Sequence, residues 1–507
     1  MKIAFINDWD QHLGIQFLSA MLKQDGHEVK VFTDPRLFND LYISIKPLQN
    51  LFDFKNDIVK ELKEYSPDLI GFSAASPHYQ WACEIAQLIK NNMDVPIIIG
   101  GIHPTSVPER VIKKDCFDML CVGEGEYPLK ELVNSMQQGK IDHSIRNIWF
   151  KKDGQIIKNE IRPYWEDLDS LPFPDLDIFS SCATYATKTY VTVTSRGCPF
   201  SCNYCSMSFI HQLYKGKGKP YRVRSVENVI GELVNIKSKF KKLKRIMFDD
   251  NCFGRDIAWL KQFSNEYSQK IGVNFFCVMH PKDITEESIA YLKEAGCKAI
   301  SLGIQTWDEN IRTDLFNRRV SNEVMEKAIK LILNHKIDVL LDNLFDVPYY
   351  SNDDLIKHLE FYTRCKPTRN YFYRLHYYPN TALSQKAVSK GWISPEAYEN
   401  CLEGGNELGT LKVDPEHKSI IEKRDKELRK IEVLFIIMDL IPARLTKYII
   451  KKCLYKHFPV FLSPSLLTIL RTLLVFDFES VYFRSTIFWR YFIFIKKKSL
   501  KPFCKTS

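Results

Sequence analysis

The sequence predicts an α/β chain made of a doubly wound parallel sheet, a six-stranded partial (β/α)6 barrel and a helical C-terminal region. Three observations predict it. Short apolar runs ending in small or polar residues alternate with helical patterns over residues 1 to about 140. Six more such runs recur between residues 190 and 378. Beyond about residue 412 this alternation gives way to a charged stretch and then to apolar stretches broken by lysine, arginine and proline. At 507 residues the chain is too long for a single ordinary core.

In the first series the strand candidates are KIAFIN (2–7), EVKVFT (28–33), DLIGFSA (68–74), VPIIIGG (95–101) and DMLCVGEGE (118–126). GIQFLSAMLKQ and YQWACEIAQLIKNN, lying between them, carry apolar residues at helical spacing. Strands that alternate with helices build a Rossmann-like sheet whose ligands sit beyond the carboxyl ends of its strands. Here those ends run into NDWDQHLG, SAASPHYQ, GGIHPTS and GEGEYP. RNIWFKKDGQIIKNE (146–160) reads as a hairpin turning at Asp153-Gly154, and LDSLPFPDLDIF (168–179), with Pro172 and Pro174, as a linker. The expected division is a first domain over 1–140, hairpin and linker over 141–187, a second domain over 188–400 and a basic, amphipathic helical region over 401–507.

The strands expected in the second series are YVTVTS (190–195), KRIMFDD (244–250), NFFCVMH (274–280), KAISLGI (298–304), DVLLDNLF (338–345) and NYFYRLHYY (370–378). Six parallel strands with right-handed crossovers form an open, partial barrel where eight would close. Its reactive groups are expected at the carboxyl ends of the strands.

Composition is globular, with 45% hydrophobic and 26% charged residues. MKIAFINDWD carries acids and does not read as an export signal, so the fourteen cysteines are expected as reduced thiols and metal ligands in the cytoplasm. Net charge is +10, yet residues 431–507 hold 13 Lys and Arg against 4 Asp and Glu, leaving the rest near neutral. That distribution excludes a whole-surface nucleic-acid field, and no nucleic-acid partner is expected. The longest charge-free run in the tail is 13 residues, FPVFLSPSLLTIL (458–470), whereas a bilayer span needs roughly 18 or more. Residues 431–507, ending near Lys496 to Lys498, suit peripheral contact with the cytoplasmic face of a membrane. The other reading is a helical cap on the barrel.

TSRGCPFSCNYCSM (194–207) places Cys198, Cys202 and Cys205 in a C-x3-C-x2-C spacing. A structural zinc site uses four ligands, and disulfides use pairs. Three thiolates on a four-iron cubane leave the fourth iron open to a small ligand. A zinc site completed by His211 is the alternative; Cys182 and Cys252 lie well outside the loop in sequence.

RGCPFSCNYCS, with Tyr204 at the aromatic position, resembles the signature of the radical S-adenosylmethionine (radical SAM) superfamily. The resemblance implies a [4Fe–4S] cluster on Cys198, Cys202 and Cys205, with the amino and carboxylate groups of SAM on the open iron. It further implies one-electron cleavage of SAM to a 5′-deoxyadenosyl radical, fed by a reductant such as flavodoxin or ferredoxin. IMFDDN places Asp249 and Asp250 at the active end of the second strand, unless they cap a helix. GCKAISLGIQTW resembles the fourth-strand stretch that contacts SAM, with Gln305 where such proteins often have Glu. Asn317-Arg318 and YYPNTAL (377–383), which has Asn380 in place of the usual glycine, also resemble family stretches. Tyr204, Asp249 and Gln305 are the residues this implies for the SAM site.

PDLIGFSA, IIIGGIHPT and VGEGEYPLKEL, in that order over residues 67–132, resemble the cobalamin-binding domains fused to one radical SAM subgroup. They imply a cobalamin site lined by Ser73, Gly100, Gly101, Gly123 and Glu124. The chain departs from the D-x-H-x-x-G pattern of histidine-ligated cobalamin, since Asp10, His12 and Gly14 in DQHLG fall one residue short. Cobalamin without a histidine ligand is expected, with His12, His78 and His103 as loop or packing residues.

The expected reaction is C-methylation of an unactivated carbon in a hydrophobic small molecule, one SAM methylating the cobalamin and another generating the radical. A non-methylating oxidation or cyclisation resembling the anaerobic Mg-protoporphyrin monomethyl ester cyclases is the alternative. A methylthiotransferase carries three further cysteines in its first domain; here Cys83, Cys116 and Cys121 read better as core. A non-catalytic cobalamin carrier would not need the cysteine loop. No catalytic acid or base is assigned from sequence.

Overall fold

The computed structural model describes residues 1–8, 11–39, 45–180, 188–240, 242–347, 352–405, 426, 428–438, 440–459 and 487–496. Its first sheet contains β1 (Lys2–Asn7), β2 (Glu28–Thr33), β3 (Leu69–Ser73), β4 (Ile97–Gly100), β5 (Met119–Cys121), β6 (Ile148–Lys152) and β7 (Gln155–Ile157). The order is β2-β1-β3-β4-β5-β6-β7, and the first five strands are parallel. KIAFIN and IIIG are apolar almost throughout because helices cover both faces of the sheet. Ile15, Leu22, Leu129 and Leu132 pack on one side, and Ile58, Leu62, Ile85 and Ile89 on the other. The chain leaves β1 for β2 on one side and returns to β3 on the other. That reversal opens a crevice at the carboxyl edge.

The hairpin expected within the connection is instead part of this sheet. β6 pairs antiparallel with β5, setting Phe150 opposite Met119 and Ile148 opposite Cys121. Ile148 and Phe150 alternate into the first domain's core, so their burial fixes the pairing. The turn falls at Asp153-Gly154, both with positive φ.

The second sheet starts at β8 (Thr189–Thr192), after which β9 (Ser195–Gly197) and β10 (Tyr221–Val223) form a small antiparallel pair. It continues through β11 (Arg245–Phe248), β12 (Phe275–Met279), β13 (Cys297–Gln305), β14 (Asp338–Phe345) and β15 (Arg369–Arg374). All six strands are parallel, in the order β15-β14-β13-β12-β11-β8, and the two edge strands do not pair with each other. The intervening helices start at side-chain caps: Ser225, Asp256, Thr285 and Ser321 each accept a first-turn backbone N–H. Along β13, Ile300, Leu302 and Ile304 join the core beneath the helices. Ala299 alternates with them onto the inner face, beside Phe276, Leu340, Met247, Val278 and Tyr371.

The C-terminal region divides. Residues 428–437 are helical and bury Leu428, Ile431, Leu434 and Phe435 in the barrel core, with Phe435 4.2 Å from the Phe372 ring and 5.0 Å from Phe345. This part is a cap. Most of FPVFLSPSLLTIL and most of the charged stretch before residue 426 lie outside the described residues. Among the described residues, no helix is long and apolar enough to cross a membrane.

Candidate active site

The cysteine loop is anchored at both ends. Asp250, beyond the carboxyl end of β11, accepts hydrogen bonds from the Thr194 N–H and hydroxyl, each at 3.0 Å, and from the Ser195 hydroxyl. Asp250 is thus a pin for the loop and does not cap a helix. β9 then pairs with β10, and Gly197 sits at φ 80° with the Pro220 carbonyl where a Cβ would be. Only glycine fits this approach. Downstream, the Asn203 N–H and side-chain amide donate to the Phe316 and Leu315 carbonyls at 2.9 and 2.8 Å. Asn317 donates to the Ser201 carbonyl at 3.0 Å, and the Leu383 N–H to the Asn203 carbonyl at 2.9 Å. Through these bonds Asn317-Arg318 and YYPNTAL hold the loop from behind.

His211 is 2.8 Å from the Cys198 carbonyl through Nε2, which ties that nitrogen to the backbone. Among the described residues, no three His, Cys, Asp or Glu side chains converge on a point that could hold one metal ion. A single zinc needs its thiolates converging at about 2.3 Å from one centre, whereas a cubane spreads them over three irons. With His211 committed to the backbone, the three thiols of the loop fit a cluster that takes three cysteine ligands.

Electrostatics favour the thiolate at Cys198. The Cys198 Sγ lies 3.8 Å from the Cys252 Sγ, and this hydrogen bond, opposed by burial and aided by Arg318 and Arg255, lowers the Cys198 pKa to about 7. Burial raises that of Cys205. Arg318 approaches the Cys202 Sγ at 3.9 Å and donates to the Gly303 carbonyl at 2.7 Å. Its Nε is buried and has no hydrogen-bond partner in the protein. Phe200, inside the loop, stacks at 3.9 Å on His280, whose pKa burial lowers to about 2, leaving the ring neutral. Tyr204 packs edge-on against Phe316 at 4.9 Å.

Asp249 directly follows β11, with its N–H on the Thr192 carbonyl; surrounding protein raises its pKa although the residue stays solvent-accessible. Gln305 ends β13 at φ 69°, with its amide folded against Gly303. Asp342, opposite Gly303 on β14, accepts from the Ser301 hydroxyl at 2.8 Å, and burial pushes its pKa up to about 6. An orphaned guanidinium N–H within electrostatic reach of the Asp342 carboxyl suits a ligand carrying both charges, such as the methionyl end of SAM.

The carboxyl edge of the first sheet carries small residues. Ser73 is opposite Gly100, whose carbonyl accepts the Ala74 N–H at 2.9 Å, and Gly101 lies against the Ala74 backbone. Gly123 has φ 83°, and a Cβ there would strike the Tyr214 hydroxyl of the second domain. That hydroxyl accepts the Glu124 N–H at 3.1 Å. Both Glu124 carboxylate oxygens are held by Arg222 on β10, at 2.6 and 3.0 Å, with the guanidinium 4.3 Å over the Tyr164 ring. Beside it, Glu126 pairs with Arg196 of β9 at 2.6 Å. Burial raises the Glu126 pKa, yet Arg196 reverses the balance and leaves it below the usual value. Ser73, Gly100 and Gly101 therefore stay on the open edge, while Gly123 and Glu124 form the junction with the barrel.

The three histidines are each engaged. His12 caps the helix Leu13–Gln24 through Nδ1, and His78 holds Asp8 at 2.6 Å. His103 is fully buried, stacks at 4.2 Å on Tyr79 and bonds Ser76; burial lowers its pKa to about 4. Asp10 lies outside the described residues. Sequence reasoning missed Arg196, Arg222, Tyr214 and Cys252. Arg196 adjoins the cysteine motif, but nothing local announces partners 70 to 98 residues away.

Residues 192–362 match the radical SAM superfamily, and residues 10–133 match the B12 binding domain. The chain belongs to the radical SAM enzymes that carry a cobalamin-binding domain, and its cofactors are a [4Fe–4S] cluster, SAM and cobalamin. It is 26% identical over 386 residues to the uncharacterized methyltransferase PH0819 of Pyrococcus horikoshii, covering 75% of this chain and 79% of that one. It is 24% identical over 339 residues to the anaerobic magnesium-protoporphyrin IX monomethyl ester cyclase of Rubrivivax gelatinosus, covering 64% of this chain and 56% of that one. Among solved structures it resembles the cobalamin-dependent SAM radical enzyme OxsB, with TM-score 0.65 and 17% identity over 96% of this chain and 74% of that one. It also resembles the radical SAM methyltransferase TsrM of Kitasatospora setae, with TM-score 0.62 and 16% identity over 77% and 76% of the two chains. The likeness to both structures is one of fold.

Proposed function

We propose that this enzyme C-methylates an unactivated carbon of a hydrophobic small molecule. The observation that carries the reading is the junction between the domains. Glu124–Arg222, Glu126–Arg196 and the seat of Tyr214 over Gly123 bring the small-residue edge of the first sheet to the cysteine loop of the second. A methyl carrier and a radical source held at those two edges would serve one substrate. When bound, the cluster and SAM supply a carbon-centred oxidant and the cobalamin supplies the methyl group.

The chain's own residues hold and orient. Cys198, Cys202 and Cys205 would hold the cluster, Tyr204, Asp249, Gln305 and Arg318 would line the SAM site, and Ser73, Gly100 and Gly101 would line the cobalamin edge. Phe200 on His280 and Tyr204 on Phe316 brace the loop. Met247, Phe276, Val278, Leu340 and Tyr371 give the inner face of the barrel an apolar lining, which favours a hydrophobic substrate. Asp342, with its raised pKa, can hold a proton beside that lining. A small one-electron carrier such as flavodoxin or ferredoxin would reduce the cluster.

The likeness to the cyclase of Rubrivivax gelatinosus supports a second reading, oxidation or ring closure without methyl transfer. Incubation with methyl-deuterated SAM, a reductant and a total lipid extract separates the two. A deuterated methyl group in a hydrophobic product, detected by mass spectrometry, supports the methyltransferase. An oxidised product without label, formed alongside 5′-deoxyadenosine, overturns it in favour of the cyclase reading.

A further inference from the structure

The helix Ala443–Lys451 buries Thr446, Ile449 and Ile450 against the barrel core. Its other face exposes Arg444, Leu445, Lys447, Tyr448 and Lys451, with Leu445 45% and Tyr448 53% exposed. The chain then continues through exposed Lys452, Leu454 and Lys456. No Asp or Glu lies between residues 443 and 459. Five cations thus ring three exposed apolar side chains on one short stretch.

A second helical segment, IFWRYFIFIK over residues 487–496, is apolar on both faces. Its inner face is fixed to the first domain: Arg490 donates to the Pro35 carbonyl, the Phe38 N–H donates to the Tyr491 hydroxyl at 3.1 Å, and Phe494 packs edge-on against Phe54. The outer face presents Phe488, Phe492 and Ile495, at i, i+4 and i+7, followed by exposed Lys496. Phe488 is 62% exposed. A helix apolar all round belongs in a core or in lipid, and this one has only half of its surface in a core.

We propose that the Arg444–Lys456 face and the outer face of helix 487–496 dock the enzyme on an anionic lipid bilayer. The charge selects the partner. A segment of Arg and Lys with no carboxylate of its own complements anionic headgroups, while Leu445, Tyr448, Phe488 and Phe492 insert to headgroup depth. Both segments are held to the folded body by their opposite faces, so each lies along the surface. The long lysine and arginine stems let the cations stay at the headgroups while their apolar neighbours sink deeper. Docking of this kind is independent of the reaction, because it is measured with lipid alone.

The test is sedimentation of the full-length holoenzyme with vesicles of phosphatidylcholine, alone or mixed with phosphatidylglycerol. The expected result is pelleting with the mixed vesicles, at least tenfold weaker with phosphatidylcholine alone and weakened by added salt. L445E/Y448E and F488E/F492E should each lower binding at least tenfold while SAM cleavage in solution is unchanged. K447Q/K451Q, which alters only exposed side chains, should weaken binding to the mixed vesicles without touching the fold. Equal recovery with and without vesicles overturns the proposal. So does wild-type pelleting by all three variants, or binding to double-stranded DNA in place of vesicles, which would make the partner an acidic polymer.

Discussion

At β3 and β4 the carboxyl edge of the first sheet ends in small side chains and backbone, whereas that of the second sheet ends in thiols, carboxylates and a half-buried arginine. Both sheets are parallel and flanked by helices, and both place their functional groups where strands give way to loops. In the first, Ser73, Gly100 and Gly101 leave room, and the charged residues Glu124 and Glu126 are committed to the neighbouring domain. In the second, the charged residues stay at the site: Asp250 pins the cysteine loop, Arg318 leans on Cys202, and Asp342 faces Ser301. An edge that accommodates a large prefabricated cofactor needs space. One that assembles a cluster needs fixed donors.

The largest effect that distinguishes the edges is loss of a donor. Cys198→Ala, Cys202→Ala or Cys205→Ala should each abolish iron loading and 5′-deoxyadenosine formation, while cobalt content stays near that of the wild type. An alanine variant that keeps its iron would remove that cysteine from the ligand set.

Next in size is the support beneath the second edge. Glu232 is fully buried, pairs with Arg224 at 2.7 Å, and accepts from the Tyr190 and Thr192 hydroxyls of β8 at 2.9 and 2.6 Å. Glu232→Ala leaves Arg224 buried and unpaired and should cost about 3–5 kcal/mol in denaturant unfolding. A cost under about 1 kcal/mol would mean that β8 is held by packing alone.

The junction should respond less, and with pH. Glu126→Gln, tested the same way at neutral pH, should cost about 2–3 kcal/mol, as a buried charge-assisted bond is weakened. Arg196 holds the folded-state pKa of Glu126 below its ordinary value of 4.5. The unfolded chain therefore takes up this proton first as pH falls. The stabilisation is complete above about pH 4.5 and disappears as pH drops through the lower folded value. The E126Q variant should lack this part of the acid limb; an unchanged limb would show that the pair does not carry the junction's acid sensitivity.

The smallest expected effect is at Gly123. Alanine there must leave the left-handed region or push the Tyr214 hydroxyl aside, at a cost of about 1–3 kcal/mol. Tyr214→Phe in the same background should recover part of it by removing the struck oxygen. No recovery would assign the whole cost to backbone strain.

These regions were unequally legible in the sequence. The cluster ligands sit within eight residues, so their spacing alone announces the chemistry. All six barrel strands fall within the predicted runs to within a few residues, because burial beneath helices makes each one a short apolar block. The hairpin was legible as a turn but not as part of the first sheet, since its pairing with β5 depends on Ile148 finding Cys121 across the chain. The glycines of the first edge were read as room for a ligand. At Gly123 the structure shows the neighbour to be Tyr214. The Arg222 partner of Glu124 lies 98 residues away, and no local pattern carries that information. In the tail, the alternatives of cap and membrane face were both written in one composition. Packing divides them, with residues 428–437 in the core and Leu445, Tyr448, Phe488 and Phe492 at the surface.

The two edges should hold two different cofactors in one chain. That is tested most directly by the iron and cobalt content and the ultraviolet–visible spectrum of protein expressed with cobalamin and purified without oxygen. About four irons and one corrinoid per chain are expected, with the iron alone lost on Cys202→Ala. Iron without cobalt would contradict it, leaving the first sheet without its ligand and the methyl-transfer reading without a methyl carrier.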